Sequence, residues 1–395
     1  MPSPAVLIAA WARSAVLPHG GGFGGLAAHE IAAPVVREVL RRAGVPPGAV
    51  DAVVAGNALG AGGNPARMLA LAAGLPDACP ALTVDTQCCA GLDAVALGAA
   101  LVASGEAQVV LAGGVEAWSR APVRAHRPLQ AGEAAVPYER PAFAPDPARD
   151  PDMLESAQRH AAARGWTRAQ QDAHACLGHE RAVAAEADLA GEIVPVQGQA
   201  RDAYPRRIDA RRAARMPAVL KGAAREAGDA GAAGGPGDCA MSTLHVSAKA
   251  DGAAFVLLAS AQACERLGLL PRARWVAGAS VGVAPETPLL GAARAAQEAL
   301  RRSGEADAQA MAVVELHDAF AAQGLDFAQA LGLEPGALNR RGGGLARGHP
   351  IGASGAIALV RLLSDLERDA VRGARGLAAV AGAGGLGAAA VVERL

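Results

Sequence analysis

The sequence predicts an α/β fold in which sheets are covered by helices on both faces. Short apolar runs that lack polar alternation recur along the chain, and stretches with a helical period separate them. Strands that are apolar on both faces are typical of sheets buried between layers of helices. Both halves of the 395 residues show this alternation. Because the two halves have a similar order of strands and helices, although their residues do not match, the pattern indicates an internal duplication.

Strands and helices alternate through the first half. The apolar run at 5–11 predicts a strand, and the helical period at 26–43, closed by Gly44, predicts a helix. The elements expected after these are strands at 49–56, 81–86 and 107–116 and helices at 64–74 and 91–104. We expect the helix at 91–104 to be buried because it is apolar on all sides.

The second half repeats this order. Its predicted strands lie at 253–260, 273–282, 312–318 and 377–384, and its predicted helices at 288–302, 319–331 and 353–369.

The region between the halves has a different composition. It is rich in Pro, Arg and Asp, contains helix-like segments at 151–164 and 167–187, and ends in a Gly- and Ala-rich stretch, 221–240, that is typical of a mobile loop. We therefore divide the chain into a first half (1–118, continuing after an insertion to about 260), an inserted loop domain (119–240) and a second half (261–395).

Composition excludes several functional classes. The net charge of −1 gives no basic field for nucleic acid. Six cysteines without CxxC pairs predict neither a zinc site nor a disulfide scaffold. The first residues lack the basic start of a signal peptide, and Gly, Pro or charge interrupts every long apolar run. We expect a cytoplasmic protein that is not embedded in a membrane and has no metal site.

The first candidate for chemistry is a pair of cysteines, Cys88 and Cys89, between a predicted strand and a predicted helix. Exposed N–H groups and the helix dipole at a helix N-terminus lower a thiol pKa and favour a nucleophilic thiolate. The alternative is that both are small apolar residues buried where a helix meets a sheet.

Two further candidates contain histidine. His349 lies in a glycine-rich turn, 342–356, that opens a long helix and allows close approach of a ligand. His317 and Asp318 end a strand and start a helix, where a core histidine and an N-cap are the plainer reading. A second glycine-rich turn, 382–389, lies between two apolar strands and is suited to offering backbone N–H groups to an anion.

Seven motifs in order carry a resemblance to a known family. They are Arg13-Ser14, GNPAR (63–67), QCCAGL (87–92), AGGVEAWS (112–119), HDAFAAQ (317–323), GHPIGASG (348–355) and GAGGLG (382–387). In this order and spacing they resemble the thiolase family. The resemblance implies two βαβαβαββ halves in a five-layered α/β/α/β/α core with an inserted loop domain, and a homodimer or homotetramer.

The resemblance also implies roles for individual residues. Cys88 corresponds to the nucleophile that takes the acyl group, and His349 to the histidine that activates it. Ala383, followed by Gly384, corresponds to the segment that supplies an oxyanion-hole N–H. Ser247 corresponds to a serine that contacts the pantetheine arm of coenzyme A, and His245 replaces the family's asparagine in that motif.

The chain departs from the family at its second catalytic cysteine. Most thiolases have this acid/base at the position of Ala381, whereas the branch that resembles the sterol-carrier-protein thiolases has it inside an HDCF motif, where this chain has Ala319. One Cys and two His remain, an arrangement that resembles decarboxylating ketosynthases. We consider His317 first and Cys89 second as a substitute acid, with His317 in the second oxyanion site.

The sequence therefore predicts an acyltransferase that uses coenzyme A thioesters as substrates and has no permanently bound cofactor. Thiolytic cleavage or Claisen condensation is the leading activity. The alternatives are a decarboxylative or other non-thiolytic Cys-His-His acyltransferase and a subunit that depends on a small OB-fold partner. Arginines at 201–225 are candidates for phosphate contacts, although a solvated charged face explains each of them as well. His160, His174 and His179 are expected at the surface.

Overall fold

The fold is described from a computed structural model in which residues 5–60, 62–220, 238–334 and 336–395 are placed. Most of the loop predicted at 221–240, including Lys221 and Arg225, lies outside the described residues. The strands are β1 (Val6–Ser14), β2 (Leu17–Pro18), β3 (Ala52–Gly56), β4 (Ala81–Val84), β5 (Val109–Ala117), β6 (Arg124–His126), β7 (Val136–Tyr138), β8 (Ile193–Val194), β9 (Ala250–Ser260), β10 (Ala273–Gly282), β11 (Val313–His317), β12 (Arg375–Gly382) and β13 (Leu386–Arg394).

In the described part of the chain, the eight predicted helices are present in the predicted order, with ends shifted by a few residues, and four short helices that were not predicted accompany them. Together the helices are α1 (Ala28–Ala43), α2 (Pro65–Ala73), α3 (Ala90–Ser104), α4 (Met153–Arg164), α5 (Arg168–Ala184), α6 (Glu186–Leu189), α7 (Ala210–Ala214), α8 (Ala261–Leu267), α9 (Gly291–Ser303), α10 (Ala321–Ala330), α11 (Gly344–Arg347) and α12 (Ser354–Asp369). Local signals explain several ends: α1 stops at Gly44, whose φ is 69°, and the Asn64 side chain caps α2 by accepting from the Arg67 N–H.

The sheet topology confirms the duplication. In the first half the strands lie in the order β4-β3-β5-β9-β1, and in the second half in the order β11-β12-β13-β10. In the second half, a parallel bridge between Val314 and Leu338 lies next to β11. It occupies the position that β4 occupies next to β3 in the first half. Each half therefore has the same strand order, and β1 joins β10 at one edge through residues 6–8.

Alternation of side chains along the strands produces five layers. On β12, Leu377 and Ala379 pack with α9 and α10, whereas Ala378 and Val380 face α3 and α12. A matching apolar core lies between the first-half sheet and α1 and α2. The layers are thus helix, sheet, helix, sheet and helix, and α3 of the first half and α12 of the second form the centre.

The central helix α3 is apolar on almost every side. With the turn before it, the segment Gln87–Ser104 is long and apolar enough to cross a membrane by length and composition, and 61% of it is buried within the fold. A helix without a polar face belongs in the middle of a large core, and its position between two sheets accounts for its composition.

A buried cluster of charges holds part of the segment between β5 and β9 against the core. Arg13 on β1 donates to Glu192 at 2.6 Å and to Asp202 at 2.7 Å. Arg361 on α12 pairs with the same Glu192 and, at 2.6 Å, with Asp365. All five side chains are buried, so each charge is stabilised by its partners instead of by water.

Candidate active site

Cys88 lies between the end of β4 and the start of α3, as the sequence predicts. The residue before it, Gln87, has a φ of 55°, a left-handed conformation that costs a residue with a side chain about 1–2 kcal/mol. The Asp85 carboxylate offsets this cost because it accepts from the Gln87 N–H and from the Gln87 side-chain amide, both at 3.0 Å. This turn aims the Cys88 thiol toward the second half of the chain.

His349 stands on the equivalent turn, before α12. Its N–H donates to the Ala248 carbonyl at 2.7 Å, and the preceding Gly348 has a φ of 115°, which favours glycine. The His349 Nε2 lies 3.0 Å from the Cys88 Sγ. The structure therefore brings together two residues that are 261 positions apart in the sequence.

Glycines allow the two turns to meet. A Cβ on Gly91, at the start of α3, would lie 2.7 Å from the Gly352 carbonyl oxygen, and a Cβ on Gly114 of β5 would overlap the same oxygen. Only glycine permits backbone to approach backbone this closely.

The other ring nitrogen of His349 has two neighbours. Ser354 Oγ lies 3.1 Å from His349 Nδ1 and donates its single proton to the Pro350 carbonyl at 3.0 Å. In the tautomer with the ring proton on Nδ1, Ser354 accepts from Nδ1 and the Nε2 lone pair faces the Cys88 thiol. His317 Nε2 also contacts Nδ1, and the two rings stack with centroids 4.6 Å apart.

His317 thus lies behind His349 and not beside the thiol. Its Nε2 is engaged with His349 on the side of that ring opposite to Cys88. The expected role of His317 in a second oxyanion site stays a prediction. The sequence identified the residue but could not indicate which side of His349 it would take.

Backbone donors surround the sulfur. The backbone N–H groups of Ala383 and of Cys88 lie beside the Cys88 Sγ and act to lower the pKa of the thiol. Ala383 belongs to the turn between β12 and β13, where Gly384 and Gly385 have φ values of 78° and 80°. Such donors can stabilise negative charge that develops beside the sulfur.

Burial decides the protonation of the pair. It raises the pKa of the Cys88 thiol to about 12 in spite of the Ala383 N–H, and it lowers the pKa of His349 to about 4. The pKa of His317 lies well below its ordinary value because of burial and then because of His349 and Arg347. The expectation of a lowered thiol pKa is wrong for the resting protein: desolvation outweighs the helix N-terminus, and the pair is a neutral thiol and a neutral imidazole.

Glu116 is a member of the site that the sequence analysis did not single out. Its buried carboxylate accepts from Asn57 Nδ2 (2.9 Å), from the Ala58 N–H (3.0 Å) and from the Gly352 N–H (2.9 Å), and burial raises its pKa to about 7. It therefore fastens the turn that carries His349 to the first half of the chain. The signal available was a lone glutamate in an apolar strand.

The remaining candidates are engaged in local contacts. Ser247 Oγ donates to the Gly344 carbonyl at 2.6 Å, and the Ser247 N–H donates to Ala319. Cys89 is fully buried, and its sulfur lies 3.7 Å from the Val380 carbonyl oxygen. Ala381 packs toward the core of α9 and α10.

The expectation that three histidines lie at the surface is wrong. His179 is fully buried and His160 is buried, while His174 is half-buried and its Nε2 lies 2.9 Å from Asp318 Oδ2. A helical period on the loop-domain helices did not reveal that these helices pack against α10 and α11. Among the residues the structure describes, no group of three His, Cys, Asp or Glu side chains could hold a metal ion.

A thiol whose proton can pass to a neighbouring imidazole, with backbone donors beside it, is equipped for acyl transfer, and this site and fold define an acyltransferase. The chain belongs to the thiolase family. The family model described as "Thiolase, N-terminal domain" matches residues 6–262, and "Thiolase, C-terminal domain" matches residues 269–394.

Individual proteins agree with this assignment. The chain is 38% identical to an acetyl-CoA acetyltransferase of Rhizobium meliloti (strain 1021), with 100% of both chains covered. Among solved structures it is similar to the Bacillus anthracis acetyl-CoA acetyltransferase (TM-score 0.84, 30% identity, 100% of this chain and 99% of that one covered). It is also similar to the Acat5 thiolase from Ascaris suum in complex with coenzyme A (TM-score 0.86, 27% identity, 99% and 100% covered).

Proposed function

We propose that the chain forms an acyl-enzyme on Cys88 from acyl-CoA or 3-oxoacyl-CoA and catalyses thiolytic cleavage or Claisen condensation of coenzyme A thioesters. The observation that carries this proposal is the 3.0 Å contact between Cys88 Sγ and His349 Nε2, with the Ala383 N–H on the same sulfur. Similarity to acetyl-CoA acetyltransferases over the whole chain supports the substrate class.

The neutral pair defines how acylation starts. The Cys88 proton passes to His349 Nε2 as the sulfur attacks the thioester carbonyl, so no thiolate has to exist beforehand. The oxygen of the tetrahedral intermediate then takes the N–H groups of Cys88 and Ala383 that the sulfur holds in the resting protein. His349 returns its proton to the leaving coenzyme A thiolate.

Residues outside the reaction centre support binding of coenzyme A. One similar structure is a thiolase in complex with coenzyme A. In this chain the described arginines at 201–215 are mostly exposed, and Arg206 stacks over Tyr204 at 4.4 Å. Guanidinium groups suit the 3′-phosphate and diphosphate of coenzyme A, and Ser247, close to His349 through the Ala248 contact, suits the pantetheine arm.

A decarboxylative condensation is the second candidate. It is favoured by Ala381 and Ala319, which occupy both positions where thiolases have their second cysteine. Loss of carbon dioxide from a malonyl-type donor generates the carbanion without a base. Without a positioned acid/base, reversible C–C cleavage is expected to be slower by about 10²–10⁴-fold.

The decisive experiment measures coenzyme A-dependent cleavage of acetoacetyl-CoA and longer 3-oxoacyl-CoAs by the wild type and by Cys88→Ser. The serine variant is the matched control because it retains shape and backbone N–H. We expect turnover and a Cys88-linked acyl adduct in the wild type only. Failure of every 3-oxoacyl-CoA, together with carbon dioxide release from malonyl-CoA and acyl-CoA, would replace thiolysis by decarboxylative condensation.

We also infer a homo-oligomer that pairs through β4. This strand ends the first-half sheet order, Leu82 on it is 55% exposed, and Leu97 on α3 is 50% exposed beside a groove of about 770 Å³ between α3 and β10. An exposed apolar edge strand favours pairing with another chain. Light scattering should give a multiple of 39.3 kDa for the wild type and a monomer for Leu82→Arg.

A further inference from the structure

The groups around Cys88 have the form of a hydrolytic triad. Cys88 is the nucleophile, His349 is the base on its sulfur, and His317 and Ser354 orient the base from its far side. A nucleophile, a base and an orienting group in this order, with backbone N–H donors beside the nucleophile, is the arrangement that esterases and proteases share.

Carbon chemistry needs one more group, an acid/base for the substrate α-carbon. Of the described ionisable side chains, His349 contacts the Cys88 sulfur, and His317, the first candidate for a substitute acid, lies behind the His349 ring on the side opposite to Cys88. The nearest carboxylates are committed: Glu116 accepts several backbone and amide donors, and Asp85 accepts twice from Gln87. Cys89 faces the Val380 carbonyl. Among the described residues, the site thus has every part that acyl transfer to an oxygen or sulfur nucleophile needs, and no ionisable side chain besides His349 bonds to the Cys88 thiol.

We propose that this protein is also a thioesterase that hydrolyses acyl-CoA to a carboxylic acid and free coenzyme A. The inference rests on the acyl-enzyme proposed above and adds water as the acceptor. No proton enters or leaves the α-carbon at any point. The rate of hydrolysis therefore does not depend on a cysteine at position 319 or 381, where this chain has alanine.

The first step is acylation. Cys88 S–H gives its proton to His349 Nε2, the sulfur bonds to the thioester carbonyl carbon, the bond from that carbon to the coenzyme A sulfur breaks, and the departing thiolate takes the proton. In the second step His349 Nε2 takes a proton from water while the water oxygen bonds to the acyl carbon. The bond to Cys88 Sγ then breaks, and the Cys88 thiolate takes the proton back. The products are one carboxylic acid and one coenzyme A for each water consumed.

Deacylation relies on the same tautomer as acylation. Ser354 and His317 both contact His349 Nδ1, where the ring proton lies in this tautomer. The Nε2 lone pair therefore still faces the acyl group once the thiol proton has left. Burial keeps His349 unprotonated at neutral pH, with its pKa lowered to about 4, which leaves this lone pair free to accept from water.

The experiment supplies butyryl-CoA as the only substrate in ¹⁸O-labelled water, without added coenzyme A. Multiple turnovers are expected, with one ¹⁸O atom in each butyrate. Cys88→Ser and His349→Ala should lose turnover while unfolding at the same urea concentration as the wild type. Ser354→Ala should lower kcat by about tenfold with little change in KM, because it touches the base and not the substrate.

Ala319→Cys is the matched control for the missing acid. It should raise coenzyme A-dependent cleavage of acetoacetyl-CoA and leave butyryl-CoA hydrolysis within about twofold. Intact-mass measurement after acid quench separates the two proposals. An acyl group that stays on Cys88 until coenzyme A is added overturns hydrolysis and leaves the acyl-enzyme standing, whereas no adduct and no butyrate overturns both. Hydrolysis that persists in Cys88→Ser also overturns the inference.

Discussion

The reactivity of Cys88 toward an alkylating agent tests the neutral thiol–imidazole pair. Burial raises the pKa of this thiol to about 12, compared with 9.0 for an unperturbed cysteine. At pH 8 the thiolate fraction is therefore about 10⁻⁴, against about 10⁻¹ for an exposed thiol, and only the thiolate reacts. We expect iodoacetamide to modify Cys88 about 10³-fold more slowly than a free cysteine at this pH.

The assay is a pH series from 6 to 10 with intact-mass detection and peptide mapping. Cys176 and Cys239, which are half-buried, react in parallel, so Cys88→Ser provides the background. The rate at Cys88 should rise about tenfold for each pH unit without a plateau. A fast rate that is constant between pH 6 and 8 and falls sharply in His349→Ala would refute the reasoning, because it would show a resting thiolate paired with imidazolium.

Three further predictions concern positions that support the site. Gln87→Gly should keep acylation near the wild-type rate, whereas Gln87→Val should lower it by tenfold or more, since a β-branched residue does not tolerate a φ of 55°; equal rates for the two variants would contradict the argument. Burial raises the pKa of Glu315 to about 8, so the folded protein holds a proton there that the unfolded chain releases above about pH 4.5. Stability is therefore lost as the pH rises, and the advantage of Glu315→Gln in urea unfolding should grow between pH 5 and 8 by up to about 1.4 kcal/mol per pH unit; an equal effect at both ends would count against it. Arg361→Met should cost about 3–5 kcal/mol in the same assay because it removes one cationic partner from each of two buried carboxylates, Glu192 and Asp365, whereas Arg301→Met, which breaks an exposed pair, should change little. A similar small effect from both arginine variants would rule out this account of the buried cluster.

The sequence was sufficient to predict the core strands and helices and to select Cys88 and His349, the two residues that contact each other in the structure. Apolar runs and glycine stops predict the core strands and helices because burial on both faces leaves a direct trace in composition. Cys88 and His349 could be selected because each stands where a helix starts at an unusual turn, whereas Ala383, in the glycine-rich hairpin, was indicated by the resemblance to thiolases.

Other properties depend on three-dimensional environment and left no such trace. The direction of the Cys88 pKa follows from how deeply the thiol is buried, and its position at a helix N-terminus suggests the opposite sign. Glu116 acts through residues 57, 58 and 352, which no local pattern connects. The burial of His179 arises from the docking of α5, which its own periodicity does not reveal.

The duplicated topology has a consequence for stoichiometry. The short turns before α3 and α12 have equivalent positions in their halves. Gly352 in the second turn therefore occupies the position that Cys88 occupies in the first. Gly352 has no side chain, so its carbonyl can pack against Gly91 while its N–H donates to Glu116. The turn of the second half thus supports the turn that carries Cys88. We therefore expect one acyl group per chain and not two, because the turn of the second half has glycine where the turn of the first half has Cys88.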